Sequence, residues 1–172
     1  MIWRIVRSIA AAGVCSEPPP DIGAEAAEEA HRIQSELLAT LGRALTIRQV
    51  DAGSCGGCEL EIHAMGNPYY NLEGLGIRFV ASPRHADLLL VTGPVARNMH
   101  AALLRTYEAV PEPRLVVAVG DCACDGGVFG AGYATAGALC DVLPVDETVP
   151  GCPPPPVDIL RGILRAVRRR AG

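Results

Sequence analysis

The chain has 172 residues, enough for one domain with an appended element. Its 15 basic and 19 acidic residues leave a formal charge of −4, so there is no sequence-wide basic footprint for nucleic acid. All 15 basic residues are Arg, and the absence of Lys excludes a Walker lysine, Schiff-base chemistry and a lysine general base.

Residues 1–24 read as an arm. Ile2, Ile5, Val6 and Ile9 lie at helical spacing with Trp3 beside them and Arg4 and Arg7 between. Those arginines interrupt the apolar run, so a secretory signal is not expected. Pro18, Pro19 and Pro20 then stop any helix. Residues 25–45 predict a helix: Ile33, Leu37 and Leu41 form a stripe, with Glu25, Glu28 and Glu29 at its start and Arg43 at its end.

Residues 46–172 change to short apolar strands alternating with helices. Strands are predicted at 46–50, 76–81, 87–92 and 114–120, and helices at 59–66, 96–110 and 157–170. Leu88–Val91 and Leu115–Val119 are apolar on both faces. Such strands belong in a parallel sheet covered on both sides, so the expected fold is an open α/β sheet. Its functional residues are expected at the carboxyl ends of the strands. The 19 glycines and 14 prolines, in a chain that is 49% hydrophobic, indicate tight connections rather than disorder. No apolar run is long enough to cross a membrane.

Seven cysteines without a secretory signal point to a reducing compartment, where clustered thiols bind metal or do redox work. Cys55 and Cys58 lie in Ser-Cys-Gly-Gly-Cys-Glu after the first strand. Cys122 lies in Gly-Asp-Cys-Ala-Cys-Asp-Gly-Gly after the Val116–Val119 strand, and Cys152 in Pro-Gly-Cys-Pro-Pro before the last helix. Glycine lets backbone approach a bulky inorganic group and aim N–H groups at sulfur. Four thiolates from separate loops suit a [4Fe-4S] cluster. A thioredoxin-like dithiol leaves the second and third loops unexplained. A zinc site made of four cysteines ordinarily has two short knuckles, and only Cys55/Cys58 makes one. Inert buried thiols are the remaining alternative. Cys124 is the one substitute for Cys122; Cys140 reads as a small buried hydrophobe, and Cys15 as incidental.

VDAGSCGGCELEIHAMG, ASPRHADLLLVTGPV, VVAVGDCACDGGVFG and VPGCPPPP, in that order, resemble the complex I 20 kDa subunit superfamily of the NADH-quinone oxidoreductases. Within it the chain is most similar to small subunits of membrane-bound, energy-converting [NiFe] hydrogenases of the formate-hydrogenlyase and hydrogenase-4 type. The resemblance covers residues 46–170. It implies a flavodoxin-like domain carrying one [4Fe-4S] cluster, with Cys55, Cys58, Cys122 and Cys152 as ligands. The cluster would be the relay at the active site of a large catalytic subunit, of [NiFe]-hydrogenase type or like its counterpart in complex I. A ferredoxin-like electron-transfer subunit and membrane subunits are the other implied partners, holding the chain on the inner face of the cell membrane. The quinone-reducing branch has adjacent cysteines in the first block. The Cys-Gly-Gly-Cys spacing here is hydrogenase-like, and the complex I-like function is the alternative. A second alternative is a zinc-stabilised assembly protein with no redox role.

Glu59 and Glu61 follow Cys58. A carboxylate beside a buried redox centre is a candidate proton carrier, and Glu59 is the nearer; acids at a helix start also serve the dipole. His63 and His85 are expected to be structural. Arg161, Arg165, Arg168, Arg169 and Arg170 end the last helix, where they suit the dipole or a rim facing an anionic partner or lipid.

Overall fold

The computed structural model describes residues 43–171, together with Ser35 and Ala39. The arm at 1–24, and the helix predicted for 25–45 up to residue 42, lie outside this set apart from those two positions. The strand that follows begins at Leu45, inside the predicted end of that helix.

Five strands form one sheet: β1 (Leu45–Asp51), β2 (Ile77–Phe79), β3 (Leu88–Thr92), β4 (Leu115–Val119) and β5 (Glu147–Val149). Their spatial order is β2-β1-β3-β4-β5, and every neighbouring pair is parallel. This is a flavodoxin-like order; it bears out the open parallel sheet read from the residues and the flavodoxin-like domain implied by the resemblance. The helices are α1 (Gly57–Ala64), α2 (Arg97–Ala109), α3 (Asp121–Asp125) and α4 (Pro156–Ala171), with 3-10 turns at Pro83–His85 and Leu139–Asp141.

The two-sided apolar strands divide their side chains between two cores. Leu88, Leu90, Leu115, Val117 and Val119 face Ile62 and Met65 of the α1 region and Ile159, Ile163 and Val167 of α4. Leu89, Val91, Val116 and Ala118 face Leu103 of α2 and Ala123 of α3. Period-two alternation thus buries successive residues in opposite layers, and all of β3 and β4 is buried.

Polar residues join the elements. The Asp87 carboxylate before β3 accepts from the Thr46 N–H (3.0 Å) and hydroxyl (2.7 Å) at the start of β1, and pairs with Arg43. Glu147 in β5 is buried, and its charge is met by Arg165 (2.7 Å) and Arg169 (2.8 Å) of α4. Arg161 pairs with Asp158 at 3.1 Å. Three of the five arginines expected to serve the helix dipole or a charged rim are thus paired within the chain. β5 and α3 are not among the predicted elements: 121–125, read as part of a strand-end loop, is a short helix, and 147–149, left unassigned, is a strand.

Candidate metal centre

The cysteine loops leave the same end of the sheet. β1 ends at Asp51, whose carboxylate accepts from the N–H groups of Gly53 (2.8 Å) and Ser54 (2.7 Å), bending the chain into the Cys55 loop. α1 then starts at Gly57, and Cys58 lies in its first turn. β4 ends at Val119, Gly120 turns the backbone, and Cys122 follows in α3. β5 ends at Val149, and Cys152 lies in the loop that follows.

Backbone bonds tie the second and third loops together. Gly120 N–H donates to Val149 O (2.8 Å), Asp121 N–H to Gly151 O (3.0 Å), and the Asp121 carboxylate accepts from Gly151 N–H (2.6 Å). The turn bearing Cys122 and the loop bearing Cys152 are thereby fixed to each other.

The four thiols share one electrostatic neighbourhood. Burial pushes the Cys58 thiol up to about 12, and the Glu59 carboxylate, Cys55, Cys122 and Cys152 push it the same way. The Cys122 thiol is also raised, by burial first and then by Cys152, Cys55 and Asp121. Cys55 and Cys152 are exposed, while Cys58 and Cys122 are partly buried. Cys122 and Cys152 line an open cavity of about 480 Å³ with Asp121, Asp125, Gly127 and Val128.

Two glycines keep the sulfurs clear. Gly120 has φ +88°, and a Cβ there would lie 2.5 Å from Cys58 Sγ. Gly127 has φ +52°, and its Cβ would lie 2.9 Å from Cys122 Sγ. Any other residue at either position would strain the backbone and crowd a sulfur.

Cys124 goes elsewhere. It packs against the Leu89/Val91 core, its Sγ lies 3.8 Å from Ala118 O, and burial is the largest cause of a thiol pushed up to about 11. Cys140, expected to be buried, is exposed: the 3-10 turn buries its neighbour Leu139 and turns Cys140 outward.

Glu59 does more than complement a helix dipole. Its carboxylate accepts from the hydroxyls of Ser54 and Thr92. Thr92 is fully buried at the end of β3, and Ser54 also accepts from Gly56 N–H at 2.9 Å. Glu59 therefore clamps the Cys55 loop and the first turn of α1 to β3. Sequence reasoning passes over Ser54 and Thr92; the available signal is a hydroxyl closing an apolar strand. Glu61 is partly buried and His63 exposed on α1, and the His85 carbonyl accepts from the Thr46 hydroxyl (2.6 Å).

Large apolar side chains stand exposed near the cysteines in sequence, and Val128 also lines the cavity. Leu60 on α1 is 71% exposed, and Val128, Phe129 and Tyr133, after Cys122, are 92%, 60% and 97% exposed. Among the described residues, no three His, Cys, Asp or Glu side chains form a group able to hold a single metal ion. No helix of the described residues is long and apolar enough to cross a membrane.

Residues 55–166 match the family of the NADH ubiquinone oxidoreductase 20 kDa subunit. The chain belongs to this family. Within the family it is 42% identical over 137 residues to the probable membrane-bound hydrogenase subunit mbhJ of Pyrococcus furiosus, covering 80% of this chain and 82% of that one. It is 40% identical to formate hydrogenlyase subunit 7 of Escherichia coli, covering 78% of this chain and 53% of that protein, about half its length. It is 43% identical to the B subunit of NADH-quinone oxidoreductase from Desulfovibrio desulfuricans, covering 74% of this chain and 69% of that one. A chain in the structure of the membrane-bound sulfane sulfur reductase, an archaeal respiratory membrane complex, superposes with a TM-score of 0.62 at 30% identity, covering 79% of this chain and 74% of that one.

Proposed function

We propose that this family member is the electron-transfer small subunit of a membrane-associated [NiFe]-hydrogenase-type complex. It would hold one [4Fe-4S] cluster through Cys55, Cys58, Cys122 and Cys152. The observation that carries this reading is the convergence of three strand-end loops, which puts these four thiols, and not Cys124, in one electrostatic neighbourhood.

The donor set fits the group. Thiolates are the usual ligands of such clusters. Gly120 and Gly127 leave room against Cys58 and Cys122 Sγ that a side chain would fill. When bound, the cluster supplies one-electron transfer. The chain's own part is to hold the four thiolates at fixed relative positions, through the Asp121–Gly151 bonds and the Glu59 clamp.

Glu59 would act first as a positioning residue. As a carboxylate next to Cys58 it is also the group of this chain best placed to carry a proton toward a partner. The catalytic site would lie on the large subunit, so the chain alone would turn over no substrate. A ferredoxin-like subunit and membrane subunits would complete the complex and hold it at the membrane face. The Cys-Gly-Gly-Cys spacing and the similarity to a probable membrane-bound hydrogenase subunit and a formate hydrogenlyase subunit favour this over a quinone-reducing complex. The 43% identity to an NADH-quinone oxidoreductase chain keeps the quinone-reducing complex as the second reading.

The exposed apolar side chains Leu60, Val128, Phe129 and Tyr133 would supply the means of association. Tagged chain purified anaerobically is expected to bring down a large subunit through high salt, over an interface above about 2,000 Å². That subunit should carry two Cys-x-x-Cys pairs for nickel. A chain that stays monomeric and cluster-loaded and captures no large subunit would be a free ferredoxin-like carrier instead, and a large subunit without the two pairs would move the chain to the quinone-reducing branch.

A further inference from the structure

Away from the cysteine loops, the other side of β1 is unfinished. β2 pairs only with Leu45–Ile47 and stops at Phe79. In a parallel strand alternate residues turn both N–H and C=O to the same neighbour. Thr46 O and Ala52 N–H bond toward β3 (2.8 and 2.9 Å), whereas Leu45 N–H bonds to Gly76 O (2.8 Å) and Ile47 O accepts from Val80 N–H (2.9 Å) on the β2 side. Gln49 and Asp51 are in phase with Leu45 and Ile47. Their backbone groups therefore face the side that β2 has already left, and no backbone bond satisfies them there among the described residues. This stretch is an open strand edge inside an otherwise paired sheet.

A groove of about 670 Å³ runs along that edge, with Ile62, Phe79 and Val80 as apolar lining and Arg48, Asp51 and His63 as its charged or titratable groups. Arg48 makes no hydrogen bond or ion pair among the described residues, and its Nε is buried without a partner. An unpaired guanidinium donor out of reach of water is costly. Asp51 does not relieve it: Asp51 Oδ1 is taken by Gly53 and Ser54 N–H. The groove thus offers two backbone positions for strand pairing, an apolar lining and an unsatisfied cation.

We propose that an extended segment of another subunit of the complex adds to β1 at Gln49–Asp51, with a carboxylate of that segment on Arg48. Main-chain pairing supplies affinity in such strand addition, and side-chain pockets supply selectivity. The inference rests on the reading of the chain as a subunit. It names a second contact, on the sheet edge and separate from the exposed apolar side chains of α1 and of the stretch after α3.

Hydrogen exchange, read at single-amide resolution on the full chain alone and on the purified complex, tests it. The Gln49 and Asp51 amides should exchange freely in the chain alone and slow by about tenfold or more in the complex. Arg48→Glu should remove that protection while the complex still assembles, and Arg48→Lys should keep most of it. Two results would overturn the proposal: amides that stay fast in an intact complex, and amides already protected in the full chain alone, which would mean that its own residues 1–42 occupy the edge. Failure of the chain to assemble with any subunit would instead strike the functional reading on which the inference rests.

Discussion

The middle of the sheet and the rim at its carboxyl end are built on opposite principles. In β3 and β4 every side chain is buried, and alternate residues fill two apolar cores. At the rim, four thiols are brought together although burial and neighbouring acids oppose ionisation of Cys58 and Cys122. Leu60, Val128, Phe129 and Tyr133, on α1 and in the stretch after α3, stand in solvent. The centre is complete within one chain. Under the proposed function, the rim would be completed by an inorganic group held by the thiols and by a partner subunit. The two regions meet at Cys58, which packs against the core, while Cys55 and Cys152 are exposed and can be changed without touching it.

The largest expected effect is at the rim. Cys58→Ser or Cys122→Ser should abolish bound iron in the anaerobically purified complex, while Cys124→Ser and Cys140→Ser should leave it in place. Loss of iron in Cys124→Ser with retention in Cys122→Ser would move the ligand assignment by two residues and undo the contrast between core and rim. Next comes the core. Leu90→Ala, at a fully buried position, should cost about 2–5 kcal/mol in urea unfolding. Phe129→Ser should stay within about 0.5 kcal/mol in the chain alone, yet weaken capture of the large subunit. Gly120→Ala lies between the regions. Its positive φ and the contact with Cys58 Sγ predict a loss of about 1 kcal/mol or more, with reduced iron content.

The smallest effect is a pH dependence of the cluster-free chain. The Cys58 thiol is raised from 9.0 to about 12 in the fold, so the folded chain keeps a proton that the unfolded chain releases near pH 9. The stability linked to it is fully present below pH 9 and is lost as the pH rises toward 12. Cys124, raised to about 11, adds to the same slope. Urea midpoints measured between pH 8 and 12 should fall, and Cys58→Ser should flatten the decline. A midpoint that rises over this range would contradict the burial of these thiols.

Much of this contrast is legible in the sequence. Leu88–Val91 and Leu115–Val119 announce buried parallel strands because both faces are apolar, and the cysteines follow strands as ligand loops do in open α/β sheets. What escapes depends on distant partners or on short elements. β5 is three residues with a glutamate in it, and Glu147 is tolerated there only because Arg165 and Arg169 arrive from α4. α3 is a five-residue helix between two glycines of positive φ. Once it is known to be helical, Cys122 and Cys124 must face nearly opposite ways, since residues two apart in a helix do not share a face. Glu59 is visible in the sequence as an acid near a thiol. Its clamp needs Thr92, 33 residues away, and no local pattern reveals that contact. Cys140 misleads because its apolar neighbour, Leu139, is a sign of burial for itself alone.

The reading stands or falls on whether Cys55, Cys58, Cys122 and Cys152 together hold one [4Fe-4S] cluster. The decisive experiment measures iron, acid-labile sulfide and zinc per chain in the anaerobically isolated complex. The contributions of the other subunits are subtracted by comparison with the Cys58→Ser complex. A difference of about four iron and four sulfide is expected, with no change in zinc. A difference of one zinc and no sulfide, or no difference in metal at all, would contradict it.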